Sequence, residues 1–327
     1  MRRILLFLLS FAALIAPLHA DPLADLAKYS AFPGADLNSL SSGKILSARG
    51  PTLGEARDLS VQVLYLVHAP VARTLSMHQQ WDAGKHPELK VYIHRDLSGH
   101  PSLADFSQSL PGNGAVRRLE DATQKLPTIG DLQLSNAEAA TFKSSGGNVP
   151  AFWSQVLLHR TTAFLQGGLS AQPAYDTADG PIRASQEVSR LIHEQPKVRA
   201  LFSPVIEKSV LGGGTGSLPI GPYWELFDAD NGAAFNLGAS SSLTTGDSAQ
   251  YLDLQYYASG GYYAYVTLYQ MWGVTVNGQP ATLVWRVDSI STQSVADLGP
   301  IDRIGSGAAM SREIERIVKF FQKDTGR

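Results

Sequence analysis

The alternation of apolar and polar side chains is strongest over Ala249–Ser291, where it predicts three antiparallel strands joined by two tight turns. The turns are Ser259-Gly260-Gly261 and Asn277-Gly278, because glycine and asparagine adopt the positive φ angles that two-residue hairpins require. One face of the middle strand is rich in tyrosine. That face carries Tyr263, Tyr265, Thr267, Tyr269 and Met271.

The opposite face of this predicted sheet is apolar. It carries Ala264, Val266, Leu268 and Trp272 in the middle strand, followed by Leu283, Trp285 and Val287 in the next strand. Such a sheet is dry on one side and faces water or a ligand on the other. The tyrosines therefore have two interpretations. They are half-buried with their hydroxyls in water, or they belong to a concave sheet that lines an apolar pocket.

The chain before this meander combines strands with helices. Alternation predicts strands at Asp58–His68 and Glu88–Leu97, with a helix at Val71–Trp81 between them. From Ser102 to Val210 the apolar periods are those of helices, including Ala151–Leu165, which ends at a glycine pair. The segment after Ile220 returns to strands.

The chain closes on an amphipathic helix at Met310–Phe321, with an apolar stripe opposite a charged one. The sequence therefore predicts an α+β fold: a curved antiparallel β-sheet (a meander) with a long C-terminal amphipathic helix and a helical insertion in the middle of the chain. Residues 21–327 are expected to form a single α+β domain. Its helical block covers about 102–210, and its antiparallel sheet plus terminal helix covers about 218–323.

Residues 1–20 have the pattern of a secretory signal peptide. A basic Arg2-Arg3 precedes the apolar run Ile4–Ala16, and Leu18-His19-Ala20 precedes a cut before Asp21. An uncleaved anchor is the alternative, although the apolar run is shorter than the ~20 residues that span a bilayer. The chain has 0 cysteines, so it is expected to be exported without disulfides or thiolate metal ligands. These features predict a bacterial periplasmic or secreted protein.

The net charge of the chain limits the classes of partner that are expected. Removal of residues 1–20 takes away two arginines and no acids, so the net charge goes from −2 to −4. A mildly acidic chain without a basic block argues against nucleic acid as a partner. No second run of ~18 apolar residues follows, so no stable membrane span is expected after signal cleavage.

The order of elements resembles the helix-grip fold of the START and Bet v 1-like lipid-transfer superfamily. The resemblance rests on Ser60–Trp81, Gln250–Ser291 and Gly305–Lys323, which cover less than half of the mature chain and contain no signature motif. The helical block Ser102–Val210 departs from that fold. The resemblance implies a sheet that wraps around the terminal helix and encloses an apolar cavity for a lipid. It transfers no functional residue to this chain.

Motifs for catalysis, cofactors and metals are weak. Leu211–Gly216 is glycine-rich, but it lacks the Lys-Ser/Thr pair of a phosphate-binding loop and follows a helix, so it predicts a hinge. Ser41–Lys44 spells SxxK without the helix start that an acyl-enzyme needs. No cofactor, metal site or catalytic residue is predicted. Five histidines lie close together in the sequence, but their spacing is not that of a zinc-binding motif: His68, His78, His86, His94 and His100.

Two main function classes are compatible with these features. The favoured hypothesis is a non-catalytic exported protein that binds a lipid or other apolar small molecule between the sheet and the C-terminal helix. Its candidate ligand-binding residues are Tyr263, Tyr265, Tyr269, Trp272, Trp285 and Ile314. It predicts an apolar cavity with few ionisable groups.

The alternative is an extracytoplasmic hydrolase whose site carries no recognised motif. It predicts at least two titratable side chains that converge in a cleft, and its natural acid–base candidates are His94, Asp96, His100 and His159. An envelope structural or assembly factor is a third possibility.

Overall fold

The structure, a computed structural model, describes residues 21–229, 232–296 and 298–326. The predicted signal peptide and Asp230-Asn231 of a predicted hairpin lie outside the described residues. The strands are β1 (Leu46–Arg49), β2 (Asp58–Val67), β3 (Val91–Asp96), β4 (Tyr175–Thr177), β5 (Gly180–Ile182), β6 (Gly221–Ala229), β7 (Gly232–Thr245), β8 (Ser248–Ala258), β9 (Ala264–Val276) and β10 (Gln279–Ser291).

Helices lie before, within and after the strands. They are α1 (Pro22–Tyr29), α2 (Leu37–Ser41), α3 (Val71–Gln80), α4 (Leu103–Phe106), α5 (Gly114–Gln124), α6 (Asn136–Ala140), α7 (Val149–Gly167), α8 (Ala184–His193), α9 (Pro196–Lys208), α10 (Gln293–Ala296) and α11 (Pro300–Thr325). In the part of the chain that the structure describes, no helix has both the length and the apolarity needed to cross a membrane.

Eight strands form one antiparallel sheet in the order β1-β2-β10-β9-β8-β7-β6-β3. The consecutive strands β6 to β10 are the predicted meander. The early strands β1 and β2 extend it at one edge, and β3 extends it at the other. The α+β fold, the antiparallel sheet, the helices in the middle of the chain and the C-terminal helix are confirmed.

The sheet is covered on both faces. Helices of the middle block pack on one face, which we call the block face, where Trp153, Phe202 and Trp285 belong to one buried apolar cluster. On the other face, Val63 and Tyr269 pack with Ile314 of α11, and we call this the α11 face. There α11 contacts β1 and β2, while α3 contacts β8, β9 and β10. Two apolar layers therefore stabilise one sheet.

The two predicted tight turns differ in outcome. Asn277 (φ 51°) and Gly278 (φ 74°) both have positive φ, as a type I′ hairpin requires. The other connection is longer, because β8 ends at Ala258 and β9 begins only at Ala264. The Gly261 carbonyl accepts a hydrogen bond from the Thr292 hydroxyl at 2.6 Å, so the backbone of this turn bonds to the end of β10.

His78 of α3 lies among aromatic rings on the α11 face. Its ring stacks on Phe321 with centroids 4.0 Å apart, and its Nε2 is 3.0 Å from the Tyr65 hydroxyl. Burial, assisted by the charge of Arg286, lowers the pKa of His78 from 6.5 to about 3. The folded protein therefore keeps this imidazole neutral where the unfolded chain would protonate it.

This difference predicts a loss of stability in acid. Between pH 6.5 and about 3 the unfolded state binds the proton at His78 and the folded state does not. The free energy of unfolding should therefore fall by up to about 1.4 kcal/mol per pH unit in this window as the pH decreases. The check is urea unfolding of wild type and His78→Phe across the window. A difference between the two proteins that does not change with pH would contradict the prediction.

Candidate functional site

The structure does not bring the six predicted ligand-binding residues into one place. Trp272 and Trp285 are buried on the block face, whereas Tyr269 and Ile314 are buried on the α11 face. Tyr265 is half-buried, and its hydroxyl donates to Asp288. Tyr263 lies beside the ring of Tyr175, which is at the turn end of the sheet.

Side chains fill the contact between α11 and the sheet. Ile314 and Phe321 are each 2% exposed, and they pack with Val63 and Tyr65, which are fully buried. Close packing of this kind leaves these atoms in contact with each other. A ligand at this position would have to displace them.

A second group of residues does converge, on the α11 face of β3, β6, β7 and β8. Tyr223 of β6 lies across Gly238 of β7, and its hydroxyl donates a 2.8 Å hydrogen bond to Asp253 of β8. A Cβ at Gly238 would lie 2.0 Å from Cζ of Tyr223. Only glycine at this position lets the tyrosine cross the strand and reach the carboxylate.

His94 of β3 stands on the other side of the same tyrosine. Its ring centroid is 5.5 Å from that of Tyr223, and its Nδ1 is 2.9 Å from Oε1 of Glu225. Its Nε2 is 3.5 Å from Oδ1 of Asp96. Burial alone lowers the pKa of His94, but the hydrogen bond and charge of Glu225, with the charges of Asp82 and Asp96, outweigh it, so the pKa is raised.

Asn236 of β7 forms hydrogen bonds to both Glu225 and Tyr262. Its Nδ2 donates to Oε2 of Glu225 at 2.9 Å and to the Tyr262 hydroxyl at 3.3 Å. Tyr262 in turn donates to Gln255. The Oδ1 atom of Asn236 is buried without a hydrogen-bond partner. We call His94, Tyr223, Glu225, Asn236 and Asp253 the polar cluster.

A buried ion pair adjoins the polar cluster. Asp253 faces Thr267 across β8 and β9, and Thr267 faces Asp288 across β9 and β10. Asp288 accepts hydrogen bonds from Nε and Nη2 of Arg286, both at 2.7 Å, and from the Tyr265 hydroxyl at 2.7 Å. These bonds hold the side chains of β9 and β10 in place beside Asp253.

The environment of Asp253 makes this carboxyl a proton donor and acceptor near neutral pH. Burial is the main cause that raises its pKa from 3.8 to about 6, and the charge of Glu225 adds to it. The hydrogen bond from Tyr223 and the charges of Arg286 and His94 act in the opposite direction. A group with a pKa near the working pH is well placed for general acid–base chemistry.

Removal of the Tyr223 hydroxyl should raise the pKa of Asp253 further. Tyr223→Phe deletes the hydrogen bond that favours the ionised carboxylate, and Gly238→Ala should have the same direction by displacing the ring. The check is an NMR titration of the Asp253 side-chain carbon. Tyr175→Phe, at the turn end of the sheet, serves as the matched control. An unchanged or lower pKa in Tyr223→Phe would refute the arrangement.

Metal-binding groups are not assembled at this site. Among residues 21–229, 232–296 and 298–326, no group of three or more His, Asp or Glu is placed to hold a metal ion. The five histidines of the early segment are separated: His78 is among aromatic rings, and His86 is paired with Asp324 at 2.7 Å.

A cleft of about 1020 Å³ lies elsewhere, at the end of the sheet beside the β8–β9 turn. Tyr263 lines it, together with the β4–β5 hairpin. Its buried acid, Glu187, accepts hydrogen bonds from Arg57 and Arg190 and from Ser291. Burial alone raises the pKa of Glu187, but the hydrogen bonds from Arg190, Ser291 and Arg57 outweigh it, so the pKa is lowered.

Sequence reasoning found part of the polar cluster. His94 and Asp96 were acid–base candidates and lie together, whereas His100 and His159 are exposed. Tyr223, Glu225, Asn236 and Asp253 were missed. The available signal was a charged residue between apolar neighbours within a strand, as in Leu252-Asp253-Leu254.

No protein-family model, curated protein or solved structure matches this chain. The resemblance to the helix-grip superfamily therefore stays a prediction.

Proposed function

We propose that this protein is an extracytoplasmic enzyme, the hydrolase alternative drawn from the sequence, with its site at the polar cluster. The observation that supports it is the position of Tyr223, which lies beside His94 and holds Asp253 at 2.8 Å. Two titratable groups lie on either side of this tyrosine on one face of the sheet, and such a pair favours an enzyme over an apolar carrier.

The two groups have complementary roles in hydrolysis. Near pH 6 Asp253 exists in both protonation states, so it is the general base that accepts a proton from the attacking water. His94, whose pKa is raised beside Glu225, is the general acid that donates a proton to the leaving atom. Glu225 and Asn236 hold the imidazole side of the site in place.

We also propose that the protein acts outside the cytoplasm. The basic and apolar segments of residues 1–20 and the absence of cysteine from the sequence support export. Fractionation of the native host, with detection of the mature N-terminus, tests this. Recovery of a chain with an intact N-terminus in the cytoplasm would contradict it.

Asp253→Asn should lower the activity by about 10²–10⁴-fold, the usual contribution of a general acid or base. The measurement is a screen of chromogenic esters, amides, phosphoesters and glycosides, followed by kcat/KM of wild type and variant on any substrate turned over. Asp228→Asn, at the exposed Lys90 pair on β6, is the matched control and should retain full activity. Equal activity of wild type and Asp253→Asn would refute the assignment.

Binding of an apolar molecule is the second candidate. It is favoured by the apolar stripe of α11, where Ile314, Val318 and Phe321 face an apolar part of the sheet. Native mass spectrometry of Asp21–Arg327, purified without detergent, tests it directly. A stoichiometric lipid would support this candidate, and a mass without ligand would count against it.

A further inference from the structure

A second pocket, of about 250 Å³, lies at the β1 edge of the sheet, between the β1–β2 connection and the first turns of α11. The polar cluster is built on the strands at the β3 end of the sheet, so the two sites are separate. We infer that this second pocket, which we call the arginine pocket, binds a small organic anion: a carboxylate or phosphate group with a short apolar chain. This binding goes beyond the proposed function and does not depend on it.

Two arginines line the arginine pocket, and in the described part of the chain neither forms an ion pair with a carboxylate. Arg303 of α11 donates from Nη2 to the backbone carbonyls of Glu55 and Asp58, at 3.2 and 3.4 Å, and its Nε is buried without a hydrogen-bond partner. Arg49 of β1 lies one helical turn further along α11. Its Cδ and Nε are 3.8 Å from the position that a Cβ would take on Gly307.

The one acid in the lining does not neutralise these arginines. Asp58 is 2% exposed, and its two carboxylate oxygens accept hydrogen bonds from Arg190 at 2.7 and 3.0 Å. Arg190 also pairs with Glu187, and Glu187 pairs with Arg57. These two acids and two arginines balance each other. The two arginines of the pocket therefore leave positive charge that an anion complements.

Other acids of this region lie outside the lining of the arginine pocket. Glu55 and Asp302 are exposed, so water and salt screen their charge. Glu194 accepts a hydrogen bond at 2.6 Å from a backbone N–H of the β1–β2 connection. Glu315, two turns of α11 beyond the pocket, accepts a hydrogen bond from Ser47. The positive character of the pocket is therefore retained.

Apolar side chains form much of the remaining lining. Leu53 and Leu59 are each 5% exposed, while Ile304 is 59% exposed. A guanidinium binds a carboxylate or phosphate through two parallel hydrogen bonds, and an apolar chain beside it is stabilised by covering Ile304. The volume is below the ~300–1,000 Å³ of pockets for drug-sized ligands, so the chain is short.

The test compares four probes by NMR titration of the backbone amides at pH 7: butyrate, butyramide, butyl phosphate and inorganic phosphate. Butyramide has the shape of butyrate without its charge, and inorganic phosphate lacks the apolar chain. Butyrate should bind about tenfold more tightly than butyramide. Butyl phosphate should bind about tenfold more tightly than inorganic phosphate. The amide signals of Thr52, Leu53 and Ser60, which line the pocket, should shift on binding.

Three variants place the binding at the arginine pocket. Arg49→Gln removes an exposed guanidinium, so it should fold normally and weaken butyrate about fivefold. Ile304→Asp puts a carboxylate in the lining and should weaken butyrate at least as much as Arg49→Gln does. Arg312→Gln is the matched control, because this arginine is exposed on the same helix but outside the lining. It should leave the affinity for butyrate unchanged.

Preference for butyrate that is lost in Arg49→Gln and retained in Arg312→Gln would support the inference. Equal affinity for butyrate and butyramide would overturn it, as would the absence of any shift at the amides that line the pocket. Equal weakening by Arg49→Gln and Arg312→Gln would show a response to net charge alone and would also overturn it. Equal affinity for butyl phosphate and inorganic phosphate would overturn the role of the apolar lining.

Discussion

Asp288→Asn should destabilise the protein by about 3–5 kcal/mol, because it leaves the guanidinium of Arg286 buried without its partner charge. Asp288 is fully buried and Arg286 is 7% exposed. The carboxylate accepts from Arg286 and from the hydroxyls of Tyr265 and Thr267, and an asparagine amide cannot satisfy all of these donors. The check is the free energy of unfolding from urea denaturation followed by circular dichroism.

Two further variants make this prediction specific to the buried pair. The double variant Arg286→Met with Asp288→Asn removes both charges, so it should be more stable than Asp288→Asn alone. Asp228→Asn breaks a pair whose lysine, Lys90, is 63% exposed, and it should cost less than about 1 kcal/mol. A double variant as unstable as the sum of its single changes would show that the two charges do not depend on each other.

Ile314→Asp should cost about 2–5 kcal/mol, because a carboxylate would enter an apolar layer with no partner. Ile314 is 2% exposed and packs in the cluster that joins α11 to the sheet. Ile304 lies on the same helix but is 59% exposed, so Ile304→Asp is the matched control and should change stability by less than about 0.5 kcal/mol. Urea denaturation of the two variants measures the difference.

The same substitution separates the two candidate functions. If the protein holds a lipid between sheet and helix, Ile314→Asp should abolish lipid uptake. If the variant folds and takes up lipid as wild type does, α11 does not line a lipid-binding site. Loss of stability without a change in the pKa of Asp253 is expected if the polar cluster works independently of this helix.

The local pattern of apolar and polar residues was sufficient to predict these strands and the C-terminal helix. Alternation over Ala249–Ser291 predicts strands, and the structure has β8, β9 and β10 there, because each strand buries one apolar set of side chains. The Asn277-Gly278 turn follows from the φ angles that these residues tolerate. The stripe of α11 likewise predicts its buried side, where Ile314 and Val318 lie.

The tertiary structure decided which polar residues meet. Asp253 and Glu225 are 28 positions apart in a sequence that shows only isolated acids between apolar neighbours. Strand register places β6, β7 and β8 side by side, and Gly238 leaves the space through which Tyr223 crosses. Register and close approach depend on contacts between distant segments, and no local pattern encodes them. The sequence by itself therefore determined the sheet and its apolar faces, whereas the convergence of His94, Tyr223 and Asp253 exists only in the folded chain.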